Sequence, residues 1–345
     1  MGSVSIGCVL HRGNVTLPNW CRRTAVALCT VTTICAASLS ASSLQQAADK
    51  TIEIAKARAE QGDRDAQMAL AIAYAHGVGV KRDDTEAAQW YMKAAEAGLP
   101  EAQTALATAF VTGLGVKKDL DAAMHWYTAA AADRGFLMPG DSRARFYLGY
   151  AYQHGMGVPV SIPEAVTWYR KATEQFDTFA LNALGELYEH GTGVTADAAQ
   201  AATWYRAAVA HDFGPAEANL GRLYEQGLGV VRDLTEAMRL FSASANNGDF
   251  RGAFRLGLAF RDSAGADRNL PDALMWLTVA QVLAEAEARS DNVNFPQRDA
   301  ALEMLSQVRS TRAELAARVK SADQAAAERR AEAWVRRFAA QVGAR

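Results

Sequence analysis

The chain has 345 residues, half of them hydrophobic, with 36 basic and 38 acidic side chains and a formal net charge of −2. That length is ample for a sizeable core, and the near-neutral balance gives no reason to expect nucleic-acid binding. All four cysteines (Cys8, Cys21, Cys29, Cys35) lie near the start, so disulfides are excluded as staples for the rest of the chain.

In chain order, residues 1–41 come first, with Arg12, Arg22 and Arg23 and no acidic residue. Arg22-Arg23 precede an uncharged run of 14 residues from Thr24 to Ala37, and Ser38-Leu39-Ser40-Ala41-Ser42 follow. A basic region, an apolar region and a small-residue exit in that order read as a secretory signal. The run is shorter than the roughly 17–25 residues that span a bilayer. The expectation is an exported protein, periplasmic or secreted. The alternative is an uncleaved N-terminal membrane anchor with the rest of the chain outside the cytoplasm. A lipoprotein signal needs a small residue before its cysteine, and Cys35 follows Ile34.

Beyond this segment the chain repeats. A Trp-Tyr pair stands at Trp90-Tyr91, Trp126-Tyr127, Trp168-Tyr169 and Trp204-Tyr205, and the same slot then holds Leu240-Phe241 and Trp276-Leu277. The steps are 36, 42, 36, 36 and 36 residues. A fixed step of this size means one supersecondary unit stacked on copies of itself. Paired glycines keep the same beat: Gly77 and Gly79, Gly113 and Gly115, Gly155 and Gly157, Gly191 and Gly193, Gly227 and Gly229, each pair followed by valine. A sixth copy has decayed to Ser263-Ala264-Gly265-Ala266. Glycines after an apolar helical run suit a helix end, where positive φ is cheap only for glycine. Three residues past each valine comes an N-cap candidate: Asp83, Asp119, Ser161, Asp197, Asp233 and Asn269. Glu86, Glu164, Gln200 and Glu236 stand in the reciprocal position of a capping box. Pro163 and Pro271 fall in the first turn, where a missing N–H costs nothing.

Each unit is therefore predicted as helix A, a glycine turn and a capped helix B. The fold class is all-α, an α-solenoid of stacked antiparallel helix pairs. On helix B, Ala87, Trp90, Tyr91, Ala94 and Ala95 form one apolar stripe at a period of 3.6. This assigns the aromatic pair to the core and makes Trp90, Trp126, Trp168 and Trp204 poor candidates for binding.

The informative positions are where the beat falters. The 42-residue step inserts six residues near Asp133–Asp141. Phe136, Leu137 and Met138 are apolar in this otherwise turn-like stretch, which reads either as a longer connection or as a protruding contact loop. Phe146, Tyr147, Tyr150 and Tyr152 follow on an aromatic-rich helix A. Periodicity places some of them in the core. Tyr147 and Tyr150 are candidate partner contacts together with Phe136, Leu137 and Met138, because aromatics dominate interface hot spots.

The last stretch, from Pro296 to Arg345, is rich in alanine, arginine and glutamate, and residues 298–345 hold ten basic and six acidic side chains. A helical cap closing the repeats is the natural reading, since a terminal unit needs a polar outer face. No catalytic constellation, cofactor motif or phosphate loop is present in this pattern; the Gly-x-Gly turns recur in every unit and lack the following lysine. His76, His154 and His190 each precede the first turn glycine. Stacked repeats hold equivalent atoms on the order of 10 Å apart, whereas zinc draws its nitrogens to about 2.0–2.1 Å. Exposed turn histidines are expected, with no metal and no cofactor.

The motif set as a whole resembles the Sel1-like repeat family, a branch of the tetratricopeptide superfamily. The stretch Ala216 to Ala245 matches almost every slot, with Leu220-Gly221, Leu223-Tyr224, Gly227, Gly229, Val230, Asp233 and Ala237; only the aromatic pair departs, as Leu240-Phe241. The final glycine slot is seen at Gly62, Gly98 and Gly248. The resemblance implies adaptor or scaffold proteins that hold other proteins together. A cysteine-rich bacterial branch is linked to β-lactam binding and hydrolysis, but its repeats carry paired cysteines that this chain lacks. The expected organisation is a signal or anchor over 1–41, repeats over 42–282 and a helical cap over 283–345. The expected function is a non-enzymatic scaffold or regulator in the cell envelope that binds a protein partner and no nucleic acid. A polysaccharide- or wall-associated binding module is the second reading, and a β-lactam-hydrolysing relative the third.

Overall fold

The computed structural model describes residues 41–133, 139–262, 269–290 and 295–344. The signal segment before residue 41, Phe136, Leu137 and Met138, and the decayed turn at Gly265 lie outside the described residues. Fifteen helices and no strand occur among the described residues. They divide into two compact units, one up to Ala172 and one from Thr173.

The first unit contains α1 (Ala41–Glu60), α2 (Arg64–His76), α3 (Asp84–Glu96), α4 (Pro100–Thr112), α5 (Leu120–Ala131), α6 (Ser142–His154) and α7 (Ile162–Thr173). Helices α2, α4 and α6 are the A helices. Each ends on its first turn glycine: Gly77, Gly113 and Gly155 sit at φ +66°, +80° and +74° and donate their N–H back to Ala73, Ala109 and Ala151. Left-handed backbone closes a helix end at little cost only where no Cβ is present. The second glycine has a different task. A Cβ on Gly115 would run into the backbone of Asp84, and one on Gly157 would meet Leu120 at 3.0 Å. It lets each turn lie against the first turn of the preceding helix B.

The caps form as the spacing predicts, with one difference. Asp83 Oδ1 accepts from the N–H groups of Thr85 and Glu86 at 3.0 and 3.1 Å. The N–H of Asp83 itself donates to the Tyr74 carbonyl at 3.0 Å, where a capping box would place Glu86. The same bond recurs from Asp119 to Phe110, Ser161 to Tyr152, Asp197 to Tyr188, Asp233 to Tyr224 and Asn269 to Phe260, at 2.8–3.2 Å. Helix B is thus pinned to helix A of its own unit through the carbonyl of the A-helix aromatic residue.

The aromatic pair also divides its labour. Tyr127 and Tyr169 are 1 % and 0 % exposed, whereas Trp126 and Trp168 are half-buried. Only the first pair is reversed, with Trp90 buried and Tyr91 at the rim. The tyrosine therefore fills the core, and three of the four tryptophans sit at its margin. Successive residues are about 100° apart around a helix, so the ring facing helix A is the tyrosine. Its hydroxyl reaches across: Tyr169 donates to Gln153 Oε1 at 2.7 Å, and Tyr127 pairs with Thr108 at 2.9 Å.

The second unit continues with α8 (Thr178–His190), α9 (Ala198–Val209), α10 (Gly214–Gln226), α11 (Leu234–Asn246), α12 (Phe250–Asp262) and α13 (Leu270–Ala288), then α14 (Phe295–Ala316) and α15 (Ser321–Ala344). Its turn glycines follow the same pattern, with φ from +67° to +70° at Gly191, Gly193, Gly227 and Gly229. Helix α13 runs on to Ala288, so a boundary at 283 falls inside it. Ala301, Val308, Leu315, Ala327 and Ala331 of the last two helices join one core cluster with Phe254, Leu274 and Leu277. Trp334 meets Trp276 edge-on at 5.8 Å and stacks on Phe338 at 5.4 Å. The final helices thus cover the apolar side of the last helix pair. No helix among the described residues is long and apolar enough to cross a membrane.

Candidate functional site

A fixed frame holds one A-helix position in the same place in every unit: Ile72, Thr108, Tyr150, Glu186, Arg222 and Leu258, separated by the repeat step. Its chemistry changes from unit to unit, and the neighbouring side chains differ accordingly.

In the second unit this region is polar and interlocked. Arg222 Nη1 lies 2.5 Å from Glu189 Oε1, and both side chains are largely buried. Tyr205 donates its hydroxyl to Glu189 Oε2 at 2.9 Å. Burial pushes the Glu189 carboxyl up, but the hydrogen bond and charge of Arg222 outweigh it and hold the group below the usual range. Burial likewise works against the Arg222 charge, and Glu189 outweighs it, raising the guanidinium. Burial, with the like charge of Arg222, lowers Arg255 despite Glu225, whose carboxylate stands 3.6 Å away. Asn219 Nδ2 donates to Asn182 Oδ1 at 3.1 Å and to Glu186 Oε1 at 3.2 Å. These bonds join A helices of neighbouring repeats through side chains alone.

On α6 of the first unit the corresponding region is aromatic. Tyr150 is half-buried and lies 4.1 Å from the His154 ring. Phe146 carries the Arg143 guanidinium at 5.8 Å. Tyr147 is a correction: at 4 % exposure it packs 5.1 Å from Tyr127, so its ring belongs to the core and is withdrawn from any partner. Of the two tyrosines named as contacts, Tyr150 alone reaches the surface.

The six-residue insertion is closed at its base. The Gly140 N–H donates to Asp133 Oδ1 at 3.0 Å. Arg145, only 2 % exposed, ion-pairs with Asp133 and donates to the carbonyls of Ala131 and Lys171 at 3.3 and 3.2 Å. In the two preceding units the same slot is glutamine: Gln67 and Gln103 donate to Ala59 and Ala95 at 3.1 Å. Arginine is the longer version of that cap, and it also holds the carboxylate that the insertion brings in. Beside it, burial and the charge of Glu101 push the Asp141 carboxyl up to about 6, although it caps α6 through the Ala144 N–H at 2.7 Å.

Sequence reasoning missed one further feature. Gly62, Gly98 and Gly248 take φ of +82° to +89° in the turn from helix B to the next helix A. Of the three intervening copies of this slot, Gly140 keeps the glycine, and Phe176 and Asp212 stand at φ +57° and +54°. A bulky residue there bears a cost of about 1–2 kcal/mol. The signal was available as two missing glycines on a known beat. His76, His154 and His190 end α2, α6 and α8 and are exposed, as expected of turn residues. No group of three or more metal-ligating side chains occurs among the described residues.

This architecture defines an all-α helical-repeat protein whose surface chemistry varies on a constant scaffold. The Sel1 repeat model matches residues 64–99, 100–133, 142–175, 178–213, 214–249 and 251–280, more than half of the chain, which therefore belongs to the Sel1 repeat family. A Sel1 repeat protein from Oxalobacter formigenes is 31 % identical, with a TM-score of 0.58 over 64 % of this chain and 87 % of its own. A protective antigen of uropathogenic Escherichia coli strains with an SLR fold is 29 % identical, with a TM-score of 0.55 over 85 % of this chain and 66 % of its own. No curated protein shows significant similarity. Sel1 repeat proteins generally mediate protein–protein interactions and are typically non-enzymatic scaffolds.

Proposed function

We propose that this chain is a non-enzymatic scaffold or regulator of the cell envelope that captures a protein partner on its A helices. The observation that supports it is the constant frame with changing chemistry. The slot of Tyr150, Glu186 and Arg222 is held by the same turns and caps in each unit, yet carries an aromatic ring, a carboxylate and a guanidinium. Core-directed slots at the same beat do not vary in this way: Leu70, Leu106, Leu148, Leu184 and Leu220 are all leucine and all buried. A frame that keeps its leucine slot constant and varies a neighbouring slot, exposed at Glu186 and half-buried at Tyr150, presents a pattern to be read by a partner.

Export supports an envelope setting, and it rests on the order of charged, apolar and small residues between Arg22 and Ser42. Envelope extract passed over the immobilised full chain tests the proposal, beside a Tyr150→Ser, Glu186→Lys double variant. The expected result is a defined set of proteins retained by the wild type and lost from the variant at unchanged melting temperature. An identical retained set from both would overturn the assignment to the A helices.

A further inference from the structure

Phe176 is the most exposed aromatic side chain described, at 66 %. It stands in the left-handed slot that glycine occupies at Gly62, Gly98 and Gly248. Nothing in the fold is gained by that choice, since its ring fills no core. Its neighbour is another exposed ring, His211 of the following turn, with centroids 5.7 Å apart and planes tilted by 43°.

Three other rings of this chain carry a cation of their own. Lys93 covers Trp90 at 3.7 Å, Lys171 covers Trp168 at 4.6 Å and Arg251 covers Phe250 at 4.7 Å. Phe176 has none among the described residues. Of the carboxylates on the turns that carry it and its neighbours, Asp177 is bonded to the N–H groups of Phe179 and Ala180, Glu217 to Asn247 and Asp249 to Arg251, and Arg170 and Lys171 end the preceding helix. Glu174 and Asp212, beside the two rings in sequence, are exposed. A ring face within about 6 Å of a cation is attractive, and the attraction grows where carboxylates flank it.

We propose that Phe176 and His211 form a recognition point for a lysine or arginine side chain on a basic segment of a protein partner. The cation lies over the Phe176 ring, His211 walls it on one side, and the exposed Asp212 carboxylate supplies the opposite charge. The site lies on the turns between helix B and helix A and does not depend on the A-helix slot proposed above. It extends the reading of the chain as a binding protein by naming the chemistry of one contact.

The test is fluorescence anisotropy of labelled octa-arginine with the full chain at fixed ionic strength, and octaglutamate as the control. Octa-arginine is expected to bind and octaglutamate not to. Phe176→Leu keeps the apolar bulk and loses the π face, and it should weaken octa-arginine at least tenfold. Phe176→Trp should bind as the wild type or more tightly. Phe176→Gly restores the residue found at Gly62, Gly98 and Gly248 and should lose binding without lowering the melting temperature. Equal binding by wild type and Phe176→Leu would overturn the proposal, as would no octa-arginine binding by the wild type. Because these variants leave Tyr150 and Glu186 untouched, a failure here is separate from a failure of partner capture on the A helices.

Discussion

Gly149 in α6 lies beneath the ring of Tyr169 in α7: a methyl group on Gly149 would meet Cδ1 of that ring at 2.6 Å. The same arrangement recurs at Gly221 under Phe241, also at 2.6 Å, and at Gly257 under Leu277, at 2.7 Å. The glycine in helix A is the socket and the second residue of the pair on helix B is what fills it.

Gly149→Ala therefore sets two effects against each other. Alanine favours a helix interior by about 1 kcal/mol. Overpacking a filled core costs about 1–3 kcal/mol. Tyr169 is fully buried and tethered to Gln153, so its ring has nowhere to retreat. The packing cost wins, and a net loss of up to about 2 kcal/mol is expected in urea denaturation. An unchanged or higher midpoint would show that the ring moves aside.

The two members of the pair should differ in weight. Tyr169→Ala is expected to cost about 3–5 kcal/mol, as for a fully buried ring. Trp168→Ala should cost about 1–2 kcal/mol, because part of its surface stays in water beneath Lys171. Paired thermal melts decide the order, and a larger loss at Trp168 would contradict the assignment of the tyrosine to the core.

The bond between Glu189 and Arg222 should be measurable as a coupling. Both side chains are largely buried, and Tyr205 binds the same carboxylate. A double-mutant cycle with Glu189→Gln and Arg222→Met should return a coupling of about 1.5–3 kcal/mol. Additive losses would mean that the two charges are solvated separately.

Asp141 makes stability depend on pH. Its folded carboxyl is raised from 3.8 to about 6 by burial and by Glu101, so the folded state binds the proton more tightly than the unfolded chain. Stability from this group is fully present below the unfolded value and is lost as pH rises toward 6. The span corresponds to about 1–3 kcal/mol once partial solvent access is allowed for. Asp141→Asn keeps a cap acceptor and removes the titration. Between pH 5 and 7 the variant's melting temperature should fall less than that of the wild type, and at pH 7.5 it should lie above it. Parallel curves would assign the pH dependence to other groups.

The frame was legible because its signals are local. A left-handed helix end needs glycine, and a helix start needs a short acceptor such as Asp83 or Asp119, so both leave their mark residue by residue. What the sequence hid was direction around the helix. Trp168 and Tyr169 share one apolar stripe, and periodicity alone does not say which faces Gly149. On α6 the cluster of Phe146, Tyr147 and Tyr150 offered several contacts, and packing against Tyr127 took Tyr147 inside. The partner of the N-cap N–H was also hidden, since the carbonyl of Tyr74 comes from tertiary approach and not from spacing. Phe176 was legible in principle, but only by asking which residue breaks the glycine beat.

The second turn glycines carry a consequence for how such a chain changes length. Gly115 admits the backbone of Asp84, and Gly229 admits that of Ala198, so these repeats bring the notch into which their predecessors fit. A tandem duplication of one whole period copies notch and insert together, and the new junction fits without any change to its neighbours. A duplication of any other length separates them and sets a side chain against a main chain. Growth or loss of this array is therefore quantised in single periods, and the six-residue insertion is tolerated because it falls between a helix B and the next helix A, away from the notch.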